Sequence, residues 1–330
     1  GHGNAILTAP AAYCAVNCYA LISGYVGYSD RPKPLRLARC IELWLQVVFY
    51  SVIITTVYCI AGVGSVGVSD FADAFLPVTS KQYWYFTAYI GMFFFIPLLN
   101  ALVRRLNRRA LVSLCIMLIA VFSLYDTFAS FWKKDPLALV GGHSPLWLGV
   151  LYIFGAAMKK LRVPESMSSK KALLIYASAA VFTALFKITG DRLLRFVPGS
   201  LFVRDTSPTV LLCAAALLVA FARFKPGRKL IEFAVLFAPA AFGVYLLHVS
   251  PLVFEHVIGN RFAFIGRLPF PCLPRQELSW LSDLRRTKCA YCCSKPWGFR
   301  SCAEKPKTSY AGCGCMLLML LQTGNNQTAA

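Results

Sequence analysis

Long apolar runs follow one another through the first 265 residues of this chain. A helix that crosses a bilayer needs about 20 mainly apolar residues, and these runs approach or reach that length. They lie near residues 9–28, 41–63, 84–102, 110–131, 146–158, 172–188, 209–222 and 231–257. The mean hydropathy of +0.60 agrees with this pattern. The sequence therefore predicts an all-α fold, a polytopic transmembrane helical bundle with about eight spanning helices.

Charge divides the loops between these runs into two alternating sets. The basic set contains Arg31, Lys33, Arg36, Arg39, Arg104, Arg105, Arg108, Arg109, Lys159, Lys160, Arg162, Lys170, Lys171, Arg223, Lys225, Arg228 and Lys229. The intervening set mixes both signs and contains Asp70, Asp73, Lys81, Lys133, Lys134, Asp135, Asp191, Arg192, Arg195, Arg204 and Asp205. Because Lys and Arg concentrate in cytoplasmic loops, this alternation puts the basic set in the cytoplasm and both chain ends outside.

The formal net charge of +20 invites comparison with nucleic-acid-binding proteins. Such proteins carry a basic face on a soluble fold. Here the cations lie mostly between apolar runs, where membrane topology already accounts for them. We therefore expect membrane lipids as partners and no nucleic acid.

The character of the chain changes near residue 266, and we divide it into a membrane domain (1–265) and a tail (266–330). The tail is rich in Cys and lacks helix periodicity, which is typical of a disordered segment. Its C-x-x-C and C-x-C spacings fit no standard zinc finger, so no metal site is expected. Disulfides in an exported tail, or a reading-frame error near residue 266, remain open alternatives.

Arg36 and Arg39 are the first candidates for binding a ligand. Their i, i+3 spacing places both guanidinium groups on one helix face at the predicted cytoplasmic boundary. Planar forked donors of this kind suit phosphate, so a phosphorylated cofactor is a natural ligand. The alternative is that both cations only set the topology and reach lipid headgroups.

Polar residues inside the first run form a second candidate group. Asn17, Ser23 and Tyr25 lie at membrane depth, where an unpaired polar group is costly. They either line a polar cavity or hold helices together, with Gly24 allowing a close approach.

His248 lies in the last apolar run and is a weak candidate for catalysis. Ionisable groups at membrane depth are often functional, and imidazole can relay protons near neutral pH. A neutral His that is hydrogen-bonded within the bundle is the alternative. Near the helix ends, Asp126, Glu255 and His256 are expected to be solvated at the interface rather than catalytic. His143, taken alone, is expected to be a loop residue.

Several of these segments together resemble the acyltransferase family 3, membrane O-acyltransferases that modify cell-surface polysaccharides. The matching segments are 16–25 (VNCYALISGY), 36–39 (RLAR), 83–85 (YWY) with 89–90 (YI), 97–100 (PLLN), 151–156 (LYIFGA) and 242–248 (FGVYLLH). No single segment is specific, but their order over residues 11 to about 265 makes a chance match improbable.

The resemblance implies ten spanning helices with both termini in the cytoplasm. The topology above becomes that one if one helix is added at each end, which implies that the first helix lies upstream of Gly1. The family's catalytic His belongs to that helix, so residues 1–330 alone are expected to be inactive. Arg36 and Arg39 match the family's R-x-x-R motif, which is associated with the acyl-coenzyme A donor. Trp84 and Tyr245 join Asn17, Ser23 and Tyr25 as expected residues of the substrate cavity.

The resemblance thus implies transfer of an acyl group, expected to be acetyl, from acyl-coenzyme A to a hydroxyl of a cell-envelope or exported polysaccharide. Acetyl-CoA or another acyl-CoA would be a co-substrate rather than a permanently bound cofactor, and a glycan or lipid-linked glycan would be the acceptor. The expected location is a bacterial plasma membrane. The alternative is a non-enzymatic transporter or flippase for lipid-linked glycans, although the internal repeats common in transporters are not evident in the sequence.

Overall fold

The computed structural model describes residues 13–64, 66–80, 82–132, 134–192 and 198–258, and every regular element in these ranges is helical. In chain order the helices are α1 (Ala15–Gly27), α2 (Leu37–Ile60), α3 (Val68–Phe75), α4 (Trp84–Phe93), α5 (Ile96–Arg105), α6 (Arg108–Leu118), α7 (Asp126–Phe131), α8 (Pro145–Lys160), α9 (Val163–Ser166), α10 (Ser169–Arg192), α11 (Pro208–Ala222), α12 (Arg228–Val249) and α13 (Pro251–Val253). A π-helical segment, Ile119–Tyr125, joins α6 to α7. The predicted all-α helical bundle is confirmed. The tail lies outside the described residues.

Each of the eight predicted runs contains a helix, but fewer qualify as membrane spans by length and composition. Three stretches qualify alone, namely Leu37–Ile60, Arg108–Phe131 and Ser169–Gly190. Two bent pairs raise the number to five if each pair is one span: α4 with α5, bent by 56°, and the two halves of α12, bent by 50°. The described residues therefore offer three to five spans rather than about eight, because helices such as α8 and α11 have only 16 and 15 residues.

Helix α8 is the centre of the bundle. It packs against α1, α4, α5 and α6. Its side chains Trp147, Leu148 and Leu151 are completely buried. Residues 150–157 of α8 are all buried. A helix that is mostly enclosed by other helices has little lipid-facing surface to match to the bilayer, which explains how a short helix is stable here.

Two glycines allow α1 and α8 to pack backbone against backbone. A Cβ atom at Gly24 would overlap the carbonyl oxygen of Tyr152, and one at Gly155 would overlap the carbonyl oxygen of Leu21. Small residues permit this close approach between membrane helices, where packing replaces the hydrophobic effect as the source of stability. Asn100 of α5 extends the contact by donating to the Gly27 carbonyl oxygen (3.3 Å) and accepting from the Tyr152 hydroxyl (3.2 Å).

The loops gather at two ends of the bundle as the charge pattern predicts. At the first end, Lys159 reaches the loop after α1, Lys160 reaches the end of α5, and Arg223 reaches the loop after α9. At the other end, Asn17 and His143 both contact Asp205. We call these the basic end and the outer end. That the basic end faces the cytoplasm stays a prediction.

Two cations of the basic end, Lys160 and Arg223, donate hydrogen bonds to backbone carbonyl oxygens of helices and loops. The Lys160 ammonium group donates to the carbonyl oxygens of Val103 (2.8 Å), Arg104 (2.9 Å) and Leu106 (2.6 Å) at the end of α5. The Arg223 guanidinium group donates to three carbonyl oxygens, of Pro164 (2.9 Å), Glu165 (3.2 Å) and Met167 (3.1 Å). Carbonyls at helix C-termini lack partners within their own helix, so these side chains complete their hydrogen bonding.

Replacing Lys160 with Met should lower the free energy of unfolding by about 2 kcal/mol, since it leaves three partly buried carbonyl oxygens without their charged donor. Thermal unfolding in detergent, followed by size-exclusion chromatography after heating, measures the effect. Lys170→Met is the matched control, because Lys170 is exposed and has no hydrogen-bond partner for its side chain among the described residues. Equal unfolding temperatures for the two variants would contradict the role of Lys160.

Candidate active site

Arg36 and Arg39 stand exposed where α2 begins at the basic end. Arg36 is the residue before the first helical position, and Arg39 lies in the first turn. In the described part of the chain neither guanidinium group has a hydrogen bond or an ion pair. Unlike Lys160 and Arg223, these two cations keep all their donors available for a ligand. Their role in binding the donor stays a prediction.

Arg39 also lies at the foot of a group of aromatic side chains on α4. It is close enough to the Tyr89 hydroxyl for the two to interact electrostatically. The Tyr89 ring stacks on the Tyr85 ring, with centroids 6.4 Å apart. Tyr85 in turn contacts Trp84 at a centroid distance of 5.6 Å. Trp84 begins α4 at the outer end, and Tyr89 lies five residues further along the helix. We call these three rings the aromatic column; it runs along α4 from the outer end toward Arg39.

Trp84 and Tyr245, two of the expected cavity residues, are both part of this aromatic group. The Tyr245 ring of α12 lies 6.3 Å from the Tyr85 ring, and the Tyr19 ring of α1 lies 6.1 Å from it. The Tyr245 hydroxyl is buried and has no hydrogen-bond partner among the described residues. Three helices therefore contribute hydroxyl-bearing rings to one place, which suits a substrate that carries polar groups.

Asn17 is completely buried, and both ends of its amide group are used. Its Nδ2 donates to the backbone oxygen of Asp205 (2.7 Å), and its Oδ1 accepts from Nε1 of Trp147 (3.1 Å). The side chain thus joins α1 to α8 and to the loop before α11, as an interhelical contact would. A further role for Asn17 in a substrate cavity stays a prediction.

Ser23 and Tyr25 are half-buried further along α1. The Ser23 hydroxyl donates to the Tyr19 carbonyl oxygen of its own helix (2.9 Å). The Tyr25 ring lies under the Lys159 ammonium group at 5.9 Å from its centroid. Ser23 and Tyr25 therefore do not meet the amide of Asn17, and Tyr25 belongs to the basic end.

The loop that follows α1 is fixed to the basic end close to these residues. Lys159 donates to the Tyr28 carbonyl oxygen (3.0 Å), and the Tyr28 hydroxyl donates to Asp30 Oδ1 (2.9 Å). Burial of Tyr28 and, as a smaller effect, its hydrogen bond to Asp30 raise the pKa of the Tyr28 hydroxyl to about 12. A neutral Tyr28 therefore holds the beginning of the loop that leads to Arg36.

His248 lies near the outer end of α12. Its Nδ1 atom contacts the Val244 carbonyl oxygen of the same helix at 2.8 Å, and its ring lies 6.0 Å from the Tyr245 ring. The contact with Val244 fits the expected alternative of a hydrogen-bonded His, while its position beside Tyr245 keeps it near the aromatic group. A catalytic role for His248 stays a prediction.

His143 is a loop residue, as expected, but it makes close contacts with two other side chains. Its Nε2 atom lies 3.3 Å from Asp205 Oδ2, and its ring stacks against Trp84 with centroids 3.9 Å apart. Gly142 permits the contact because it has a φ of +107°, and an added Cβ there would lie 2.5 Å from the Asp205 Cβ. The Gly141-Gly142 pair directly before His143 was the only local signal of so close an approach.

The expectation that Asp126 is solvated at the interface is wrong. Asp126 is completely buried, accepts a hydrogen bond from the Thr206 hydroxyl (2.6 Å), and lies 3.8 Å from Arg204. The Ser123 hydroxyl binds the Thr206 carbonyl oxygen (2.7 Å) from the same helical region. These two contacts hold the loop before α11 against the π-helical segment and the start of α7.

The described ranges contain no group of three or more His, Cys, Asp or Glu side chains that could hold a metal ion. The Cys pairs of the tail lie outside those ranges.

Comparison with known families gives one match. The model of the acyltransferase 3 family, described as an acyltransferase domain, matches residues 2–274, which include all the helices described above. No curated protein and no solved structure matches the chain. With its apolar helices, the match identifies a multi-pass membrane protein. The chain therefore belongs to the acyltransferase 3 family of membrane acyltransferases.

Proposed function

We propose that this membrane acyltransferase moves an acyl group, in the simplest case acetyl, from cytoplasmic acyl-coenzyme A to a hydroxyl of a cell-envelope or exported polysaccharide. The observation that supports this proposal most directly is the exposed Arg36 and Arg39 pair. The protein would act in a bacterial plasma membrane, with acyl-coenzyme A as a co-substrate.

The chemistry of the donor fits this pair. The nucleotide part of coenzyme A carries several phosphate charges, and guanidinium groups bind phosphate through two parallel hydrogen bonds. Arg36 and Arg39 retain all their donors, whereas Lys160 and Arg223 at the same end already bind carbonyl oxygens. The free donors of Arg36 and Arg39 support their proposed role in binding the phosphates of the donor.

The aromatic column supports a reaction that joins the two ends. The thioester of a donor bound at Arg39 would have to meet an acceptor that arrives from the other side. Tyr85 and Tyr89 share one face of α4 at i, i+4, and Trp84 contacts Tyr85 at the outer end of that helix. In the reaction, the acceptor hydroxyl loses its proton to a general base as its oxygen attacks the thioester carbonyl. The carbon–sulfur bond then breaks, and the base returns its proton to the sulfur, so that coenzyme A leaves as the free thiol.

Transfer of label tests this function. Membranes containing the protein in its full coding sequence would be incubated with acetyl-coenzyme A labelled in the acetyl group and with the host's own surface polysaccharide. Mild alkali would first remove existing esters from that polysaccharide. We expect alkali-labile label to enter the polysaccharide, because O-acyl esters are cleaved by base.

Membranes that lack the protein are the control. Label no higher than in that control, together with movement of unmodified glycan across the membrane, would contradict acyl transfer to glycan and favour a transporter.

A further inference from the structure

Trp84, His143, Arg204 and Asp205 meet at the outer end of the bundle, and we call them the outer cluster. None is used by the donor site, which lies at the basic end. The side chains of His143, Arg204 and Asp205 are 26%, 22% and 13% exposed, and Trp84 is half-buried. The cluster is therefore open to solvent on one side and packed on the other.

The packed side holds the polar groups of the cluster in fixed positions. The backbone oxygen of Asp205 accepts from the buried amide of Asn17 (2.7 Å). The next residue, Thr206, is bonded through its hydroxyl to Asp126 (2.6 Å) and through its carbonyl to Ser123 (2.7 Å). Asp205 is thus anchored through its own backbone and its neighbour, and its carboxylate needs little reorganisation to bind a ligand.

The charges of the cluster disfavour an anionic ligand. Arg204 already lies 3.8 Å from the buried Asp126, and His143 lies 3.3 Å from Asp205. Two carboxylates therefore accompany one permanent positive charge. What the site offers instead is a mixture of acceptors and donors beside an aromatic ring, namely the Asp205 carboxylate, the His143 imidazole and the partly exposed Arg204 side chain. Neutral hydroxyl groups can both donate to a carboxylate and accept from a guanidinium group.

We propose that the outer cluster is the saccharide-binding site for the acceptor of the acyl group. Asp205 accepts hydrogen bonds from sugar hydroxyls, His143 and Arg204 contact neighbouring hydroxyls, and the exposed part of Trp84 packs against the apolar face of the sugar ring. This inference rests on the proposed function, since it assigns the acceptor of that reaction. It places the acceptor at the end of the aromatic column opposite Arg39.

Binding by variants of the outer cluster tests the proposal. The protein in its full coding sequence would be placed in lipid nanodiscs. The probe would be fluorescently labelled oligosaccharides released from the host's surface polysaccharide and freed of esters with mild alkali. We expect Asp205→Asn, His143→Ala and Trp84→Ala each to raise the Kd of this probe by about tenfold or more, because each removes a contact to a desolvated polar group or ring. Asp205→Asn keeps the shape and the backbone contact with Asn17, so it should fold.

His256→Ala is the matched control. His256 also packs on an aromatic ring, that of Tyr58 at 5.4 Å, but its hydrogen-bond partner within the described ranges is a backbone oxygen, that of Leu252 at 3.0 Å. It should change the Kd by less than about twofold. Binding of labelled acetyl-coenzyme A, measured on every variant, identifies the preparations that are folded.

The possible outcomes distinguish an error in the proposed saccharide site from an error in the proposed function. Unchanged saccharide affinity in a folded Asp205→Asn variant would overturn the proposed site and leave acyl transfer standing. Saccharide binding that depends on Asp205 in a protein that transfers no acyl group would support the site and overturn the proposed function.

Discussion

Replacing Arg36 and Arg39 together with Ala should lower kcat/KM for the acyl-coenzyme A donor by about 100-fold or more. Each charge-assisted hydrogen bond contributes about 1.5–3 kcal/mol, and each 1.4 kcal/mol is a factor of ten. The loss should appear mainly as a higher KM for the donor, because the two cations bind phosphates and are remote from the acceptor. The measurement is acetyl transfer in membranes over a range of donor concentrations, with the protein in its full coding sequence.

Arg108→Ala with Arg109→Ala is the matched control. These two arginines begin α6 at the same end and are exposed. Their replacement removes the same amount of positive charge as the replacement of Arg36 and Arg39. The KM for the donor in this double variant should stay within a few-fold of the wild-type value. Salt screens long-range attraction between the basic end and the donor phosphates, so losing that attraction alone has a small effect. Equal losses in the two double variants would show that Arg36 and Arg39 act only through the net charge of this end.

The second large effect is expected at the contact between α1 and α8. Gly155→Ala should lower the free energy of unfolding by about 3 kcal/mol, at the upper end of the usual cost of overpacking. The added methyl group would overlap the Leu21 carbonyl oxygen and lie 2.8 Å from the Tyr25 nitrogen. Both atoms belong to a helix backbone, so only separation of the two helices can relieve the overlap.

Gly149→Ala on the same helix is the control for this prediction. A Cβ at Gly149 would meet only Leu99 Cδ1 at 3.9 Å, an ordinary contact, and Ala favours a helix over Gly. Thermal unfolding in detergent should therefore leave Gly149→Ala at or above the wild-type temperature and place Gly155→Ala far below it. Similar unfolding temperatures for both variants would mean that α1 and α8 can move apart at little cost.

The sequence predicted where the helices lie but not how each one is used. Hydropathy located the run near residues 146–158, and the structure has a helix there from Pro145 to Lys160. Hydropathy could not show that most of this helix is enclosed by other helices, because burial in protein and burial in lipid favour the same residues. The bend between α4 and α5 had a local signal, Pro97 in the first turn of α5, since a proline disfavours helix before it.

Predictions for the site divide in the same way. Arg36 and Arg39 could be proposed from sequence because they are close neighbours in the chain, although Arg36 precedes the first helical residue of α2. The pairing of His143 with Asp205 could not, because α8, α9 and α10 separate the two residues along the chain. Asp126 was misplaced because its position near a helix end said nothing of the loop around Thr206 that covers it.

The carbonyl contacts of Lys160 and Arg223 bear on how the protein is assembled during synthesis. Lys160 is made after α5 and reaches back to its last turn, and Arg223 is made after α9 and reaches back to the segment around it. The carbonyl oxygens at the end of α5 and around α9 therefore lack these hydrogen bonds until the later residue has been synthesised and packed against them. A nascent chain released before α11 emerges would keep an unfinished surface that quality-control proteases can recognise.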